Sequence, residues 1–314
     1  MIRWLGLALA GLLWVPSPAR AAAQPGSAMT SLESFIESAD RVKKIRGGRV
    51  SAVFWDLANA TELDFQALGA AGFNEVISDG HHFGEGHLPL EQVADQVAAA
   101  SRAGIISFKF VRGSPDWADA KREDAKKKTA ALAERILQLE EVLKSRGDRE
   151  AAEILRGIVV NVEPYAQKGW NHDLSGYVSL HKELERLVEA RGLTYETFDA
   201  FWIGEPVHES GNEMTGYRVT PGRTSYVMSY RRDGTDAFKA ADFFATKVPH
   251  VAGFDLVSDG SLGFKENPEE LGQAVTDYVN LSLATPGRKE FRGIFVNASR
   301  VGDLVAFIRR GSRA

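Results

Sequence analysis

The chain has 314 residues, with 38 Lys plus Arg against 42 Asp plus Glu, a net charge of −4 and no cysteine. With no tail or stripe of one sign it offers no set of phosphate contacts, which excludes nucleic acid and anionic lipid as expected partners. The absence of cysteine excludes a disulfide framework and a lipid-modified cysteine near the N-terminus.

Met1-Ile2-Arg3 is a short basic start, followed by an unbroken apolar and small-residue run from Trp4 to Val15 that Pro16 and Pro18 close. As a helix that run would span about 18 Å, against a roughly 30 Å hydrocarbon core. Ala19-Arg20-Ala21 and Ala21-Ala22-Ala23 both suit cleavage, so residues 1–23 read as a removable signal peptide and the mature chain begins at Ala22 or Gln24. The expected location is the periplasm or the medium, with no membrane attachment after cleavage.

Residues 24–48 read as an N-terminal extension with a helix over Ser31–Ile45. From Arg49 onward short apolar runs alternate with longer amphipathic ones. The expected strands are Val50–Asp56, Asn74–Ser78, Gly104–Phe110, Gly157–Glu163, Tyr195–Ile203, Ser225–Tyr230, Val251–Val257 and Arg292–Asn297. The clearest helix runs from Asp116 to Ser145, where Leu132, Ile136, Leu139 and Leu143 form one stripe that Gly147 ends. Leu180, Leu184 and Leu187 repeat the pattern before Gly192. Phe238, Phe243 and Phe244 mark a shorter helix, and Val301 to Arg310 a closing one. Eight strands, each followed by a crossover, predict an α/β protein with a (β/α)8 TIM barrel over residues 49–314. An open sheet of seven or eight strands has the same rhythm. In the barrel, the Ser31–Ile45 helix is expected to cover the floor.

Function in such a barrel resides where the strands end. The polar residues there are Asp56; Asp79, His81 and His82; Lys109; Glu163; Glu205; Tyr230 and Arg231; Asp255 and Asp259; and Asn297. The most informative segment is Gly157-Ile158-Val159-Val160-Asn161-Val162-Glu163-Pro164. The period of two in a strand puts Val159, Asn161 and Glu163 on one face and Ile158, Val160 and Val162 on the other; the first set is the inward one if Glu163 faces the barrel mouth, which leaves the apolar trio against the helices. Asn161 then lies about 6 to 7 Å below Glu163, where its amide orients the carboxylate or a substrate. A glutamate among aromatic side chains suits general acid catalysis, because partial desolvation raises a carboxyl's pKa toward neutrality. Trp55, Trp117, Tyr165, Trp170, Trp202 and Tyr230 all fall at or soon after strand ends, as stacking faces for sugar rings or as core residues.

The strand-four segment resembles that of the chitinase-like clan of glycoside hydrolase barrels, notably small glycosidase-like proteins with an aspartate, valine, glutamate, proline run. Glu163 falls on the family's acid and Asn161 on the aspartate two residues before it. Met228-Ser229-Tyr230 resembles the strand-six segment, with Tyr230 on its substrate-orienting tyrosine. The resemblance implies hydrolysis of an O-glycosidic bond by Glu163, with Tyr230 and either the substrate's own amide or Asp255 as catalytic partners. The chain departs from the family in having Asn161 and Val159 where aspartates are usual.

The expected function is an exported glycoside hydrolase-like protein acting on an extracellular or envelope polysaccharide or oligosaccharide. Asp56, Asn161, Tyr165, Trp170, Trp202, Glu205 and Arg231 are its expected substrate-binding residues. No cofactor or metal is expected, and the sequence leaves the oligomeric state open. A non-catalytic carbohydrate-binding or envelope protein is one alternative. A metal-dependent hydrolase using His81, His82, Glu163, Glu205 and His208 is another, against which adjacent histidines in an extended loop would point in opposite directions.

Overall fold

A computed structural model describes residues 29–118, 121–163, 174–200, 223–242, 244, 248–258, 262–288 and 290–311. Eight parallel strands close into one barrel in sequence order. They are β1 (Arg49–Phe54), β2 (Glu75–Asp79), β3 (Ser107–Arg112), β4 (Leu155–Asn161), β5 (Thr194–Ala200), β6 (Ser225–Met228), β7 (His250–Asp255) and β8 (Phe291–Asn297). Closure is made by β1 on β8, with Val50 opposite Ile294 and Ala52 opposite Val296. The open sheet is thereby excluded.

The surrounding helices are α1 (Ser31–Lys43), α2 (Glu62–Ala70), α3 (Gly80–Gly84), α4 (Leu90–Arg102), α5 (Arg122–Ser145), α6 (Arg149–Ile154), α7 (Leu174–Glu189), α8 (Gly234–Ala240), α9 (Leu271–Ala284) and α10 (Val301–Gly311). Leu132, Ile136, Leu139 and Leu143 of α5 are all buried, as their spacing requires. Among the described residues no helix is long and apolar enough to cross a membrane.

Helix α5 begins at Arg122 rather than Asp116, which lies in a separate 3-10 turn over Pro115–Ala118, and two further expectations change. The third strand lies further along than Gly104–Phe110, because Gly104 takes a positive φ of 84° and the Ile105 N–H bonds back to the Ala100 carbonyl, closing α4. Pairing therefore begins only at Ser107 and runs on to Arg112. Second, α1 does not close the floor. The capping box of Thr30 with Glu33 starts it, and it then runs alongside and parallel to α9. Ser31 Oγ accepts from the Gly272 N–H at 2.9 Å, Ser38 meets Thr276 at 2.9 Å, and Arg41 bonds Asn280. Its buried stripe of Leu32, Phe35, Ala39 and Val42 joins the same core as the outward residues Val50, Ala52, Ile294 and Val296. A helix with one apolar stripe gains most from the apolar outer faces of β1 and β8.

Inside the barrel, Val53, Ile77, Val111, Val159, Phe198, Tyr226, Val251 and Phe295 form a separate apolar cluster. Ile158, Val160 and Val162 belong to the outer core. The inward set on β4 is therefore Val159 and Asn161, with Glu163 next on the same parity. The inner cluster divides the interior into a floor, where strands begin, and a mouth, where they end.

Candidate active site

At the mouth, β4 brings Asn161 and Glu163 together: Asn161 Nδ2 donates to Glu163 Oε1 at 3.0 Å. Both side chains are half-buried. The Asn161 amide oxygen is buried and has no hydrogen-bond partner, so an acceptor stands ready beside the carboxylate. Gly113, at the end of β3, presses on the same point. A Cβ there would lie 1.5 Å from the Asn161 carbonyl oxygen, so only glycine lets the chain after β3 pass this close to β4.

Asp255 ends β7 and is buried. It lies opposite Asn297 in register, and Asn297 Nδ2 donates to Asp255 Oδ1 at 2.8 Å. The Val257 N–H at 3.1 Å, the Ser258 N–H at 3.0 Å and the Ser258 hydroxyl donate to the same carboxylate. Its charge is spread over four donors, which fix the turn after β7. Beside it, Gly253 makes room for two rings: a Cβ would sit 2.3 Å from Phe295 Cζ and 2.9 Å from Tyr230 Cε1. Tyr230 is thus held edge-on to Phe295, with ring centroids 6.1 Å apart, just past the end of β6. Arg231, half-buried, turns its guanidinium back to the Tyr230 carbonyl at 2.6 Å.

Asp56 serves the scaffold: its Oδ1 accepts from the Val301 N–H at 2.8 Å and caps α10. Partial burial raises its pKa, against the lowering effect of that hydrogen bond. Its neighbour Trp55 follows Val53 on the inward parity and is 40% exposed at the mouth. Trp117, by contrast, is core, at 2% exposure. Tyr165, Trp170, Trp202, Glu205, His208 and Asp259 lie outside the described residues, as does the leader.

A second polar cluster fills the floor. Lys109, expected at the rim, is drawn below Val111 by the later course of β3. Its ammonium donates to Glu196 Oε2 at 2.5 Å, pairs with Glu75 Oε2 at 2.7 Å and donates to Tyr226 Oη at 2.9 Å. Arg49 adds bonds to Glu196 at 2.6 Å and to Tyr226 at 2.9 Å. Tyr226 in turn donates to Glu75 Oε1 at 2.5 Å, and Ser51 and Ser107 donate to the two Glu75 oxygens, each at 2.7 Å. Burial alone would raise the Glu75 pKa, but Lys109 and Arg49 hold it down at about 2. Arg49, Glu75, Ser107, Lys109 and Glu196 line a floor cavity of about 260 Å³. Glu75 and Glu196 were not singled out from the sequence; the available signal was a charged residue early in its strand on the same parity as the inward Ile77 and Phe198.

No protein-family model matches the chain, and no curated protein matches it. Solved structures similar to it include 2,3-dimethylmalate lyase of the PEP mutase/isocitrate lyase superfamily, at 11% identity and a TM-score of 0.40 over 91% of this chain and 84% of that one. A GH5_18 protein from Streptomyces cattleya, in complex with Manβ1-4GlcNAc, gives 12% identity and a TM-score of 0.42 over 76% and 82%. An O-GlcNAc hydrolase from Thermobaculum terrenum gives 10% and 0.42 over 83% and 58%. Likenesses this distant do not choose between lyase and hydrolase chemistry. The barrel rests on this chain's own strand pairing.

Proposed function

We propose that this chain is an exported glycoside hydrolase acting on an extracellular or envelope polysaccharide, with Glu163 as general acid and then base. The observation that carries this reading is the Asn161–Glu163 pair at the mouth, with the Asn161 amide oxygen buried beside it and unpartnered. A protonated Glu163 gives its proton to the glycosidic oxygen as the bond to the anomeric carbon breaks. The resulting carboxylate then takes a proton from the water that attacks that carbon. Asn161 Nδ2 orients the carboxyl group, while Asn161 Oδ1 is suited to accept an N–H from an acetamido substituent on the sugar. The occupied state of Asp255 favours the substrate's own amide oxygen over Asp255 as the group that meets the anomeric carbon. Trp55 and Tyr230 supply aromatic surfaces for a sugar ring, and the resemblance of β4 and β6 to the chitinase-like clan points the same way.

The Asp255 contacts and the amide at 161 also favour a second reading, a protein that binds glycans without cleaving them. One experiment separates the two. Wild-type protein is screened against chitin, β-glucan, galactosaminoglycan and peptidoglycan fragments, followed by Glu163→Gln on whatever is cleaved. Turnover should fall by about 10² to 10⁴ with little change in binding, since the amide keeps the size but has no proton to give. A substrate with a nitrophenolate leaving group should lose less. Retention of more than about a third of the rate would remove Glu163 from the chemistry. Binding without any cleavage would establish the second reading.

A further inference from the structure

Two small residues that the proposed reaction leaves unused, Ser229 and Gly253, meet beside the tyrosine at the mouth. Strands β6 and β7 pair in parallel, with Ser225 opposite His250, Tyr226 opposite Val251 and Val227 opposite Ala252, and this pairing stops short of Tyr230. The Ser229 N–H turns back instead to the Val227 carbonyl of its own strand at 2.7 Å, a three-residue turn of the kind that closes strands. That donor is lost to β7. On β7, Gly253 follows Ala252, and its N–H and carbonyl both meet the Ser229 hydroxyl. Ser229 Oγ accepts from the N–H at 3.2 Å and donates to the carbonyl oxygen at 3.3 Å. Ser229 is fully buried, and backbone groups at such a depth need a protein partner.

Gly253 shares its parity with Val251 of the inner cluster and so faces the barrel interior. With only hydrogen there, two rings close over its backbone: an added Cβ would stand 2.3 and 2.7 Å from Cζ and Cε1 of Phe295 and 2.9 Å from Cε1 of Tyr230. Tyr230 packs on the inner cluster and meets Phe295 edge-on, with the ring planes at 71°. The serine thus fixes the direction in which the chain leaves β6, and the glycine fixes how far the ring sinks toward the interior. Neither offers a side chain to a sugar, since Gly253 has none and the Ser229 hydroxyl is engaged with Gly253.

We propose that Ser229 and Gly253 are positioning residues for Tyr230, and that the junction of β6 with β7 sets the aromatic surface offered to a sugar. The part that concerns the sugar rests on the hydrolase reading, in which Tyr230 contacts the substrate; the placement of the ring does not. Ser229→Ala leaves the N–H and carbonyl of Gly253 buried without that partner and frees the end of β6 from β7. Ser229→Thr keeps the hydroxyl and with it the clamp. Gly253→Ala keeps the serine but puts a methyl group where the two rings meet, and so displaces Tyr230 by another route. Two unlike substitutions converge on one ring.

The test is NMR of the chain labelled with carbon-13 at the tyrosine ε positions, with Tyr230 identified by the signal missing from Tyr230→Phe. Ser229→Ala and Gly253→Ala should each move the Tyr230 signal, while those of Tyr177, Tyr195 and Tyr278, buried elsewhere, stay in place. Ser229→Thr should leave it at the wild-type position. No shift in either alanine variant, or an equal shift of all four tyrosines, would overturn the proposal. Should the variants not fold, the wild type carries the test: the Gly253 N–H should exchange slowly with solvent, and rapid exchange would show that the clamp is not made. On whichever of chitin, β-glucan, galactosaminoglycan or peptidoglycan fragments the wild type cleaves, Ser229→Ala should lower kcat about 10- to 100-fold, with the pH profile unchanged because Glu163 is untouched. Ser229→Thr should recover the rate. An unchanged rate in a Ser229→Ala protein whose Tyr230 signal has moved would deny the clamp any part in the reaction. No cleavage by the wild type would end the hydrolase reading alone, since the shift of the tyrosine signal needs no substrate.

Discussion

The two ends of the barrel are built from the same eight strands on the same inward parity, and both are polar, yet they differ in what their polar groups still have to give. At the floor, Lys109 spends its ammonium on Glu75, Glu196 and Tyr226, and Glu75 receives Ser51, Ser107 and Tyr226 in addition. Two carboxylates face Lys109 and Arg49, and the charges cancel. At the mouth, Asn161 keeps an unpartnered acceptor and Trp55 keeps an open face. Polarity alone therefore does not mark a site. A satisfied buried network holds the floor together, whereas the mouth keeps a polar acceptor and an aromatic face uncommitted.

This contrast can be broken at the floor first. Lys109→Met removes one cation from between two buried carboxylates and should destabilise the fold by about 3–5 kcal/mol in urea unfolding. Activity per folded molecule should be unchanged. A loss under about 1 kcal/mol would show that the network does not bind the strands together.

Acid should act next, and on the scaffold rather than the mouth. Burial, with Arg223 adding to it, pushes His181 down to about 3; burial with Arg288 does the same to His250. In the unfolded chain both titrate near 6.5, so between pH 6.5 and 3 the unfolded state binds the extra protons. Stability is full above that window and falls through it, by about 1.4 kcal/mol per pH unit for each histidine, or about 2.7 for the pair. Glu75, held at about 2 from 4.5, adds a loss in the same direction below pH 4.5. Urea midpoints measured from pH 7 to 5 should drop accordingly, and the slope should halve in a folded His181→Gln protein. A midpoint independent of pH over that range would contradict the buried, neutral state of both rings.

The smallest effects sharpen the contrast within the mouth itself. Asp56→Ala should cost about 1 kcal/mol by uncapping α10 while leaving glycan binding alone. Trp55→Ala should do the reverse, changing stability by less than about 0.5 kcal/mol and weakening binding measured by affinity electrophoresis. If Asp56→Ala is the variant that loses the glycan, the division between scaffold and binding surface at this strand end is wrong.

Adjacent residues such as these show where reading along the chain stops. Asp56 and Trp55 differ by one position, and a strand end that slips by one residue exchanges the inward and outward sets. In strand four the period of two separated Ile158, Val160 and Val162 from Val159, Asn161 and Glu163, and the inner and outer cores of the barrel show which set is inward. In β3 the apolar run began at Gly104, but the chain was still closing α4 there, and that shift carried Lys109 from the rim to the floor.

The eight alternations, the apolar stripe of α5 and the shared face of Asn161 and Glu163 were all determined by the sequence alone, because each depends on a period that the backbone geometry imposes locally. Closure of β1 on β8, the seat of α1 against α9, and the pairing of Asp255 with Asn297 were decided only by tertiary structure. So was the meeting of Lys109 with Glu75, Glu196 and Tyr226, and of Glu85 with Arg112. Those partners stand tens to more than a hundred residues apart. No local period relates such residues; the closed register of eight strands does, by fixing which side chains reach the same depth of one barrel.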